Sequence, residues 1–261
     1  MAHHRLNAIE QGKGTPLVLL HGFPFDGSIW RDQVERLGQD AHLIAPDMPG
    51  FGQSADLEDE SKNANMDAYA DTLADWLNAK GLDKVVLAGH SMGGYVAFAF
   101  ARRHPEMLQG LILVSTKAGS DTEAGREGRY KQAAAVEERG AQAVVDAMLP
   151  KLFAPATYND KPELVEQIRA VMLNQDRQGI IAALYAMAGR PDSTPGLSEI
   201  TVPTLVITGA EDAIIPAPEA EILVSNIKGS KHVPIEAAGH MTMLEQPEAF
   251  GDAVSAFLRK L

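Results

Sequence analysis

The sequence predicts an α/β fold, in which a mostly parallel central sheet is flanked by helices and carries an inserted helical lid. Short apolar runs alternate with stretches of helical composition near both ends of the chain, whereas residues 121–190 contain no strand-like run. Continuous apolar runs are typical of strands that a parallel sheet buries on both faces. A single helical block within such an alternation indicates an insertion into the sheet.

We therefore divide the chain into a core domain, residues 1–115 and 193–261, and a helical cap, residues 116–192. Within the cap, apolar residues recur at helical spacing and predict three helices, at residues 144–152, 164–172 and 180–188.

The elements of the core follow from local patterns. Alternating or continuous apolar residues predict the strands, which we place at residues 6–10, 17–20, 42–45, 85–88, 111–114, 204–208 and 233–236. Helical composition between the strands predicts the helices, at residues 28–37, 67–79, 95–103, 218–227 and 247–259. The third strand precedes a glycine-rich loop, residues 47–54, and a polar segment, residues 58–65, which we expect to be mobile.

Residues 89–93, Gly-His-Ser-Met-Gly, form a G-x-S-x-G pentapeptide between a predicted strand and a predicted helix. In this pattern the serine occupies a sharp turn that pushes its hydroxyl out of the sheet. Glycines two residues before and after the serine avoid steric clashes at the turn. The helix that follows directs its free N–H groups and its dipole toward an anion beside the serine. The pattern predicts that Ser91 is a nucleophile.

A serine hydroxyl needs a base to take its proton, and the base is usually a histidine that a carboxylate orients. Asp212 follows the predicted strand at 204–208, and His240 follows the predicted strand at 233–236. The order serine, aspartate, histidine is the one expected for a G-x-S-x-G hydrolase. Glu211 is an alternative acid, because it is adjacent to Asp212.

Other polar residues are interpreted as supporting groups. We expect His21 and His90 to form hydrogen bonds that support the site, and we expect Asp47 to cap its turn. Residues 245–247, Glu-Gln-Pro, are expected to start the last helix.

From about residue 15 to its end, the chain resembles the α/β-hydrolase fold superfamily. Five pieces carry this resemblance jointly, namely residues 21–24 (His-Gly-Phe-Pro), 46–54, 89–93, 209–212 and 239–240. The resemblance implies that Ser91 is the nucleophile, Asp212 the acid and His240 the base. It also implies an oxyanion hole formed by the backbone N–H groups of Phe23 and Met92, which would stabilise a tetrahedral intermediate.

The activity that the resemblance implies is that of a serine carboxylesterase, which works through an acyl-enzyme and needs no cofactor or metal. The predicted lid and the low aromatic content, 6%, indicate small, largely apolar esters as substrates. We expect a pocket beneath the cap, with Phe23, Met148 and Met172 as substrate-binding residues.

Several relatives of this fold are alternatives. Enol-lactonases, such as those acting on 3-oxoadipate enol-lactone, are similar in length, lid position and the Ser-Met-Gly-Gly sequence. Perhydrolases or cofactor-free haloperoxidases, C–C hydrolases and a ligand receptor of the same fold are further alternatives. Haloalkane dehalogenases and epoxide hydrolases are disfavoured, because they place an aspartate where Ser91 stands.

The composition excludes several other classes. The chain has 23 basic and 35 acidic residues and a formal net charge of −12, and such a surface repels nucleic acids and anionic lipids. It has no cysteine, so disulfides, thiolate metal sites and a cysteine nucleophile are excluded. No apolar run approaches the roughly 18 residues that span a bilayer, and the N-terminus lacks the apolar segment of a signal peptide. We therefore expect a cytoplasmic protein without nucleic-acid or membrane partners.

Overall fold

A computed structural model describes residues 6–54 and 64–261 of the chain. Most of the polar segment that we expect to be mobile, its residues 58–63, lies outside the described residues.

The described residues contain a seven-stranded sheet with the strand order β1-β3-β2-β4-β5-β6-β7. Its strands are β1 (Ala8–Gln11), β2 (Pro16–Leu20), β3 (His42–Pro46), β4 (Val85–His90), β5 (Leu108–Val114), β6 (Thr204–Gly209) and β7 (Lys231–Ile235). β1 pairs antiparallel with β3, and every other neighbouring pair is parallel. The prediction of a mostly parallel sheet is confirmed.

The burial of the strands explains why local patterns predict them. All of β4 is buried, and it pairs with β2 on one side and β5 on the other. A central strand of this kind has no face open to water, so its sequence is continuously apolar. At the edge of the sheet, β7 is mostly exposed, and it accommodates the polar residues Lys231 and His232.

Helices pack against the sheet and against one another. In the described part of the chain, the α-helices outside the region between β5 and β6 are α1 (Arg31–Leu37), α2 (Met66–Ala79), α3 (Met92–Arg103), α9 (Pro218–Asn226), α10 (Thr242–Glu245) and α11 (Pro247–Leu258). α1 contacts α11, α2 contacts α3, and α3 contacts β4. Among the described residues, no helix combines the length and the apolar character needed to cross a membrane.

Between β5 and β6, residues 116–192 form a helical segment. Its helices are α4 (Glu123–Arg139), α5 (Gln142–Met148), α6 (Pro155–Asp160), α7 (Pro162–Leu173) and α8 (Arg177–Ala188). The three predicted helices correspond to α5, α7 and α8. The sequence pattern missed α4, because only Ala133 and Val136 of its residues are buried and they produce no clear apolar stripe.

The two ends of the helical segment lie together. The backbone N–H of Ser193 donates to the carbonyl of Ala118 at 3.0 Å. Asp121 forms an ion pair with Arg190 at 2.8 Å and with Arg129 at 2.9 Å. The segment thus leaves and rejoins the rest of the chain at one place.

Candidate active site

The turn between β4 and α3 holds Ser91 in an unusual backbone conformation, with φ 52° and ψ −112°. A non-glycine residue at positive φ is strained, and such strain is common at functional sites. A Cβ atom at Gly89 would lie 2.4 Å from the carbonyl oxygen of Gly93, and one at Gly93 would lie 2.6 Å from that of Leu20. Both glycines are therefore required by close backbone contacts, as predicted.

The backbone of Ser91 is anchored to the end of β5. Its N–H donates to the carbonyl of Val114 at 2.9 Å. Its carbonyl accepts hydrogen bonds from the hydroxyl of Thr116 at 2.8 Å and from the N–H of Gly94 at 2.9 Å. The contact of Thr116 was not predicted, since a threonine after a strand carries no sequence signal for it.

His240 and Asp212 form a buried pair at the carboxyl edge of the sheet. Nδ1 of His240 lies 2.9 Å from Oδ2 of Asp212, and the two side chains are only 1% and 2% exposed. The other carboxylate oxygen accepts the backbone N–H groups of Ile214 at 2.8 Å and Ile215 at 3.0 Å. Glu211 is exposed. The structure therefore places Asp212, and not its neighbour, against the histidine.

The protonation of this pair follows from its contacts. Burial alone would raise the pKa of Asp212, but the charge and the hydrogen bond of His240, together with the two backbone N–H groups, outweigh burial and hold that pKa below its ordinary value. Asp212 is thus a carboxylate at neutral pH. Because Nδ1 of His240 faces this carboxylate, it carries the imidazole proton, and Nε2 is left with a lone pair that accepts a proton.

His90 connects the histidine loop to the serine turn. Its Nε2 donates to the backbone carbonyl of His240 at 2.9 Å, and the two rings lie 4.7 Å apart. Burial and the nearby charge of His240 hold the pKa of His90 well below its ordinary value, so the ring stays neutral. Since His90 immediately precedes Ser91, this contact places the loop that holds the predicted base against the turn that holds the predicted nucleophile. The expectation that His90 supports the site through a hydrogen bond is confirmed.

The backbone N–H groups of Phe23 and Met92 are the ones predicted to form the oxyanion hole. In the described part of the chain, no hydrogen bond uses the N–H of Phe23 or the N–H of Met92, although both residues are buried. Met92 is the first residue of α3, where N–H groups lack a partner within the helix. A Cβ atom at Gly22 would lie 3.1 Å from Cβ of Ser91, so the loop that holds Phe23 touches the serine.

The loop that holds Phe23 is fixed by His21. Nδ1 of His21 donates to the carbonyl of Gly22 at 2.9 Å, and Nε2 accepts the N–H of Met48 at 2.9 Å. Burial lowers the pKa of His21, which keeps the ring neutral and able to accept this bond. Asp47 accepts the N–H of Gln53 at 2.8 Å and so caps its turn, as predicted.

The structure places the two predicted methionines in neighbouring helices. Met172 is buried in α7, Met148 is half-buried at the end of α5, and these helices contact each other. Their role in substrate binding stays a prediction. Among the described residues, no group of three or more His, Asp or Glu side chains is arranged to hold a metal ion.

The prediction that Glu245 helps to start the last helix is wrong. Pro247 starts α11, whereas Glu245 ends the short helix α10 and is fully buried. Between them, Gln246 adopts φ −131° and ψ 65°, because a residue before proline is disfavoured in the helical region.

Comparison with known proteins agrees with the fold. A family model described as alpha/beta hydrolase fold matches residues 15–247. The structure of a thermophilic esterase from Thermogutta terrifontis, with malate bound, superimposes with a TM-score of 0.94 and 42% sequence identity. The superposition covers 98% of this chain and 93% of the esterase chain.

Two curated relatives are also similar over nearly their whole length. The (E)-2-((N-methylformamido)methylene)succinate hydrolase of Acinetobacter baylyi is 29% identical in an alignment that covers 95% of this chain and 92% of the length of that hydrolase. The 3-oxoadipate enol-lactonase 2 of the same species is 27% identical in an alignment that covers 96% of this chain and 91% of the length of that lactonase.

Proposed function

The chain belongs to the α/β-hydrolase fold family, and on that premise we propose that it is a serine carboxylesterase acting on small, largely apolar esters. The observation that carries the proposal is the buried pair of Asp212 and His240, whose backbone is bound by His90, the residue immediately before Ser91. A carboxylate and an imidazole buried together beside a strained serine form the arrangement that activates a serine hydroxyl.

In the proposed reaction, the hydroxyl of Ser91 attacks the ester carbonyl while Nε2 of His240 takes its proton. The N–H groups of Phe23 and Met92 stabilise the oxyanion, and each such donor contributes about 3–4 kcal/mol. The imidazolium then protonates the leaving alcohol, and an acyl-enzyme remains. A water molecule, which His240 deprotonates, attacks the carbonyl of the acyl-enzyme. The bond to Ser91 then breaks, the imidazolium returns its proton to Oγ of Ser91, and the carboxylic acid is released.

The helical segment is proposed to be a cap that closes the ester pocket. In support, the N–H of His240 donates to the carbonyl of Leu152 at 2.9 Å, so this segment touches the loop that holds the proposed base. Gln175, between α7 and α8, accepts the N–H of Gly52 at 2.9 Å and so contacts the loop that follows β3. The resemblance to a thermophilic esterase of 42% identity supports the same activity.

The proposal is tested by Ser91→Ala and by a fluorophosphonate probe that labels activated serines. The wild type should hydrolyse p-nitrophenyl butyrate and take up one probe at Ser91, and Ser91→Ala should lose nearly all hydrolysis while its circular dichroism spectrum is unchanged. Ser225→Ala, which changes an exposed serine in α9, serves as the matched control and should keep full activity. Full hydrolysis by Ser91→Ala, or labelling of another serine, would overturn the proposal.

A lactonase is the second candidate, because the enol-lactonase relative matches nearly the whole chain. A lactone is a cyclic ester, so the same residues would open it. Initial rates over a range of concentrations, measured on p-nitrophenyl esters and on five- and six-membered lactones, give the kcat/KM values that discriminate the two candidates. Higher kcat/KM for lactones would favour the second candidate.

A further inference from the structure

Glu245 is a fully buried carboxylate that the proposed mechanism does not use. It lies at the end of α10, which follows His240 in the chain. Burying a charged carboxylate is costly unless hydrogen bonds compensate for its lost hydration. Its neighbours are therefore informative about what it does.

The carboxylate of Glu245 bridges two parts of the chain. Oε1 accepts the backbone N–H of Gly239 at 2.8 Å. Oε2 accepts the backbone N–H of Ala154 at 2.7 Å and the hydroxyl of Thr157 at 2.8 Å. Gly239 immediately precedes His240, whereas Ala154 and Thr157 lie at the beginning of α6 in the helical segment.

Further contacts join the same two parts. The N–H of His240 donates to the carbonyl of Leu152. Nζ of Lys161 donates to the backbone carbonyl of the buried glutamate at 2.6 Å. A Cβ atom at Gly239 would lie 2.6 Å from the carbonyl carbon of Phe153, so the two backbones are in direct contact.

The backbone of His240 is consequently held from two directions. Its N–H is bound by the helical segment, and its carbonyl is bound by His90 beside the serine. The ring is held by Asp212. Since misplacing a reacting group by about 1 Å costs on the order of 100-fold in rate, the contact with the helical segment bears directly on the position of the imidazole.

We propose that Glu245 is a positioning residue, which joins the start of α6 to the histidine loop and thereby sets the position of His240 relative to Ser91. The inference rests on the proposed serine-hydrolase function. It assigns the helical segment a part in the chemical step as well as in covering the pocket.

Glu245→Gln tests the inference, because glutamine keeps the shape but replaces one acceptor oxygen with an NH₂ donor that faces donors. We expect kcat per fluorophosphonate-titrated site to fall about 10- to 100-fold, with KM changed by less than about twofold, because the pocket itself is not altered. The downfield ¹H NMR resonance of the His240 Nδ1 proton should shift or broaden. If the role of Glu245 were purely structural, the substitution would lower the melting temperature without changing kcat per site or the Nδ1 resonance.

Glu248→Gln is the matched control, since it makes the same change at a side chain that is 84% exposed and should leave both quantities as in the wild type. Thr157→Val removes a single donor from the junction and should cause a smaller loss of kcat. If Glu245→Gln does not fold, Thr157→Val provides the test by itself.

Wild-type kcat per site and an unchanged Nδ1 resonance in the folded variant would overturn the inference while leaving the proposed function intact. A wild-type protein that neither hydrolyses esters nor reacts with the probe would instead refute the proposed function.

Discussion

Replacing Asp121 with asparagine should destabilise the protein at neutral pH, and the loss should disappear in acid. The Asp121 side chain is only 7% exposed and accepts hydrogen bonds from Arg190 at 2.8 Å and Arg129 at 2.9 Å. Arg190 is itself buried, and it also donates to the carbonyls of Gly119 at 3.0 Å and Met187 at 2.8 Å. The substitution keeps the shape of the side chain and removes the charge that joins the two ends of the helical segment.

The size of the expected destabilisation follows from the pKa of Asp121. Burial alone would raise this pKa, but the hydrogen bonds and charges of Arg190 and Arg129 outweigh burial and lower it from 3.8 to about 2. At about 1.4 kcal/mol per pKa unit, the ionised carboxylate stabilises the folded state by about 2.5 kcal/mol. Because the folded pKa lies below the unfolded one, this stabilisation is present above pH 3.8 and is lost as the pH falls through about 2.

Urea unfolding, followed by tryptophan fluorescence, measures the effect at pH 7, 4 and 3. The free energy of unfolding of the wild type should exceed that of Asp121→Asn by about 2.5 kcal/mol at pH 7, by nearly as much at pH 4, and by about half as much at pH 3. The control is Asp146→Asn, because Asp146 pairs with Arg139 at 3.1 Å and both side chains are about half exposed, at 50% and 53%. An exposed pair contributes about 0.2–1 kcal/mol. Equal losses in the two variants, or a loss for Asp121→Asn that is as large at pH 3 as at pH 7, would refute the reasoning.

Two further outcomes concern activity. Asp212→Asn should lower kcat on p-nitrophenyl butyrate by about 10⁴-fold, because asparagine favours the wrong histidine tautomer, whereas Glu211→Gln should change kcat by less than about twofold. Similar losses of kcat in the two variants would show that the acid is not Asp212. The proposed cap limits acyl length, so p-nitrophenyl butyrate should react faster than the palmitate ester without activation at an oil–water interface, and Met148→Ala or Met172→Ala should favour longer chains. Equal rates for the two esters in the wild type would show that the segment does not close the pocket.

The strands of the sheet were predictable because each central strand is buried along its length. The apolar run before Ser91 is wholly buried as β4, and its partner β5 is nearly so. Such burial excludes polar residues from both faces, so the local sequence alone marks the strand. In contrast, α4 buries little of its surface, and a helix that packs through Ala133 and Val136 leaves no clear apolar period to detect.

The chemical groups of the candidate site were likewise readable from the sequence, because each follows a strand whose carboxyl end lies at one edge of a parallel sheet. This topology places Ser91, Asp212 and His240 at the same edge of the sheet. The choice between Asp212 and Glu211 needed the structure, since adjacent residues point in different directions and one of them is exposed.

Only the tertiary structure revealed Glu245 as the junction between the histidine loop and α6. Its carboxylate meets Ala154 across a separation of 91 residues, and the hydroxyl of Thr116 meets the carbonyl of Ser91 across 25. Hydrogen bonds of this kind depend on the positions of distant backbones to within a few tenths of an ångström, and no local pattern encodes them. The sequence determines which reactive groups reach the sheet edge, because local burial and strand order suffice for that, whereas their exact placement is decided by buried polar contacts that form only in the folded chain.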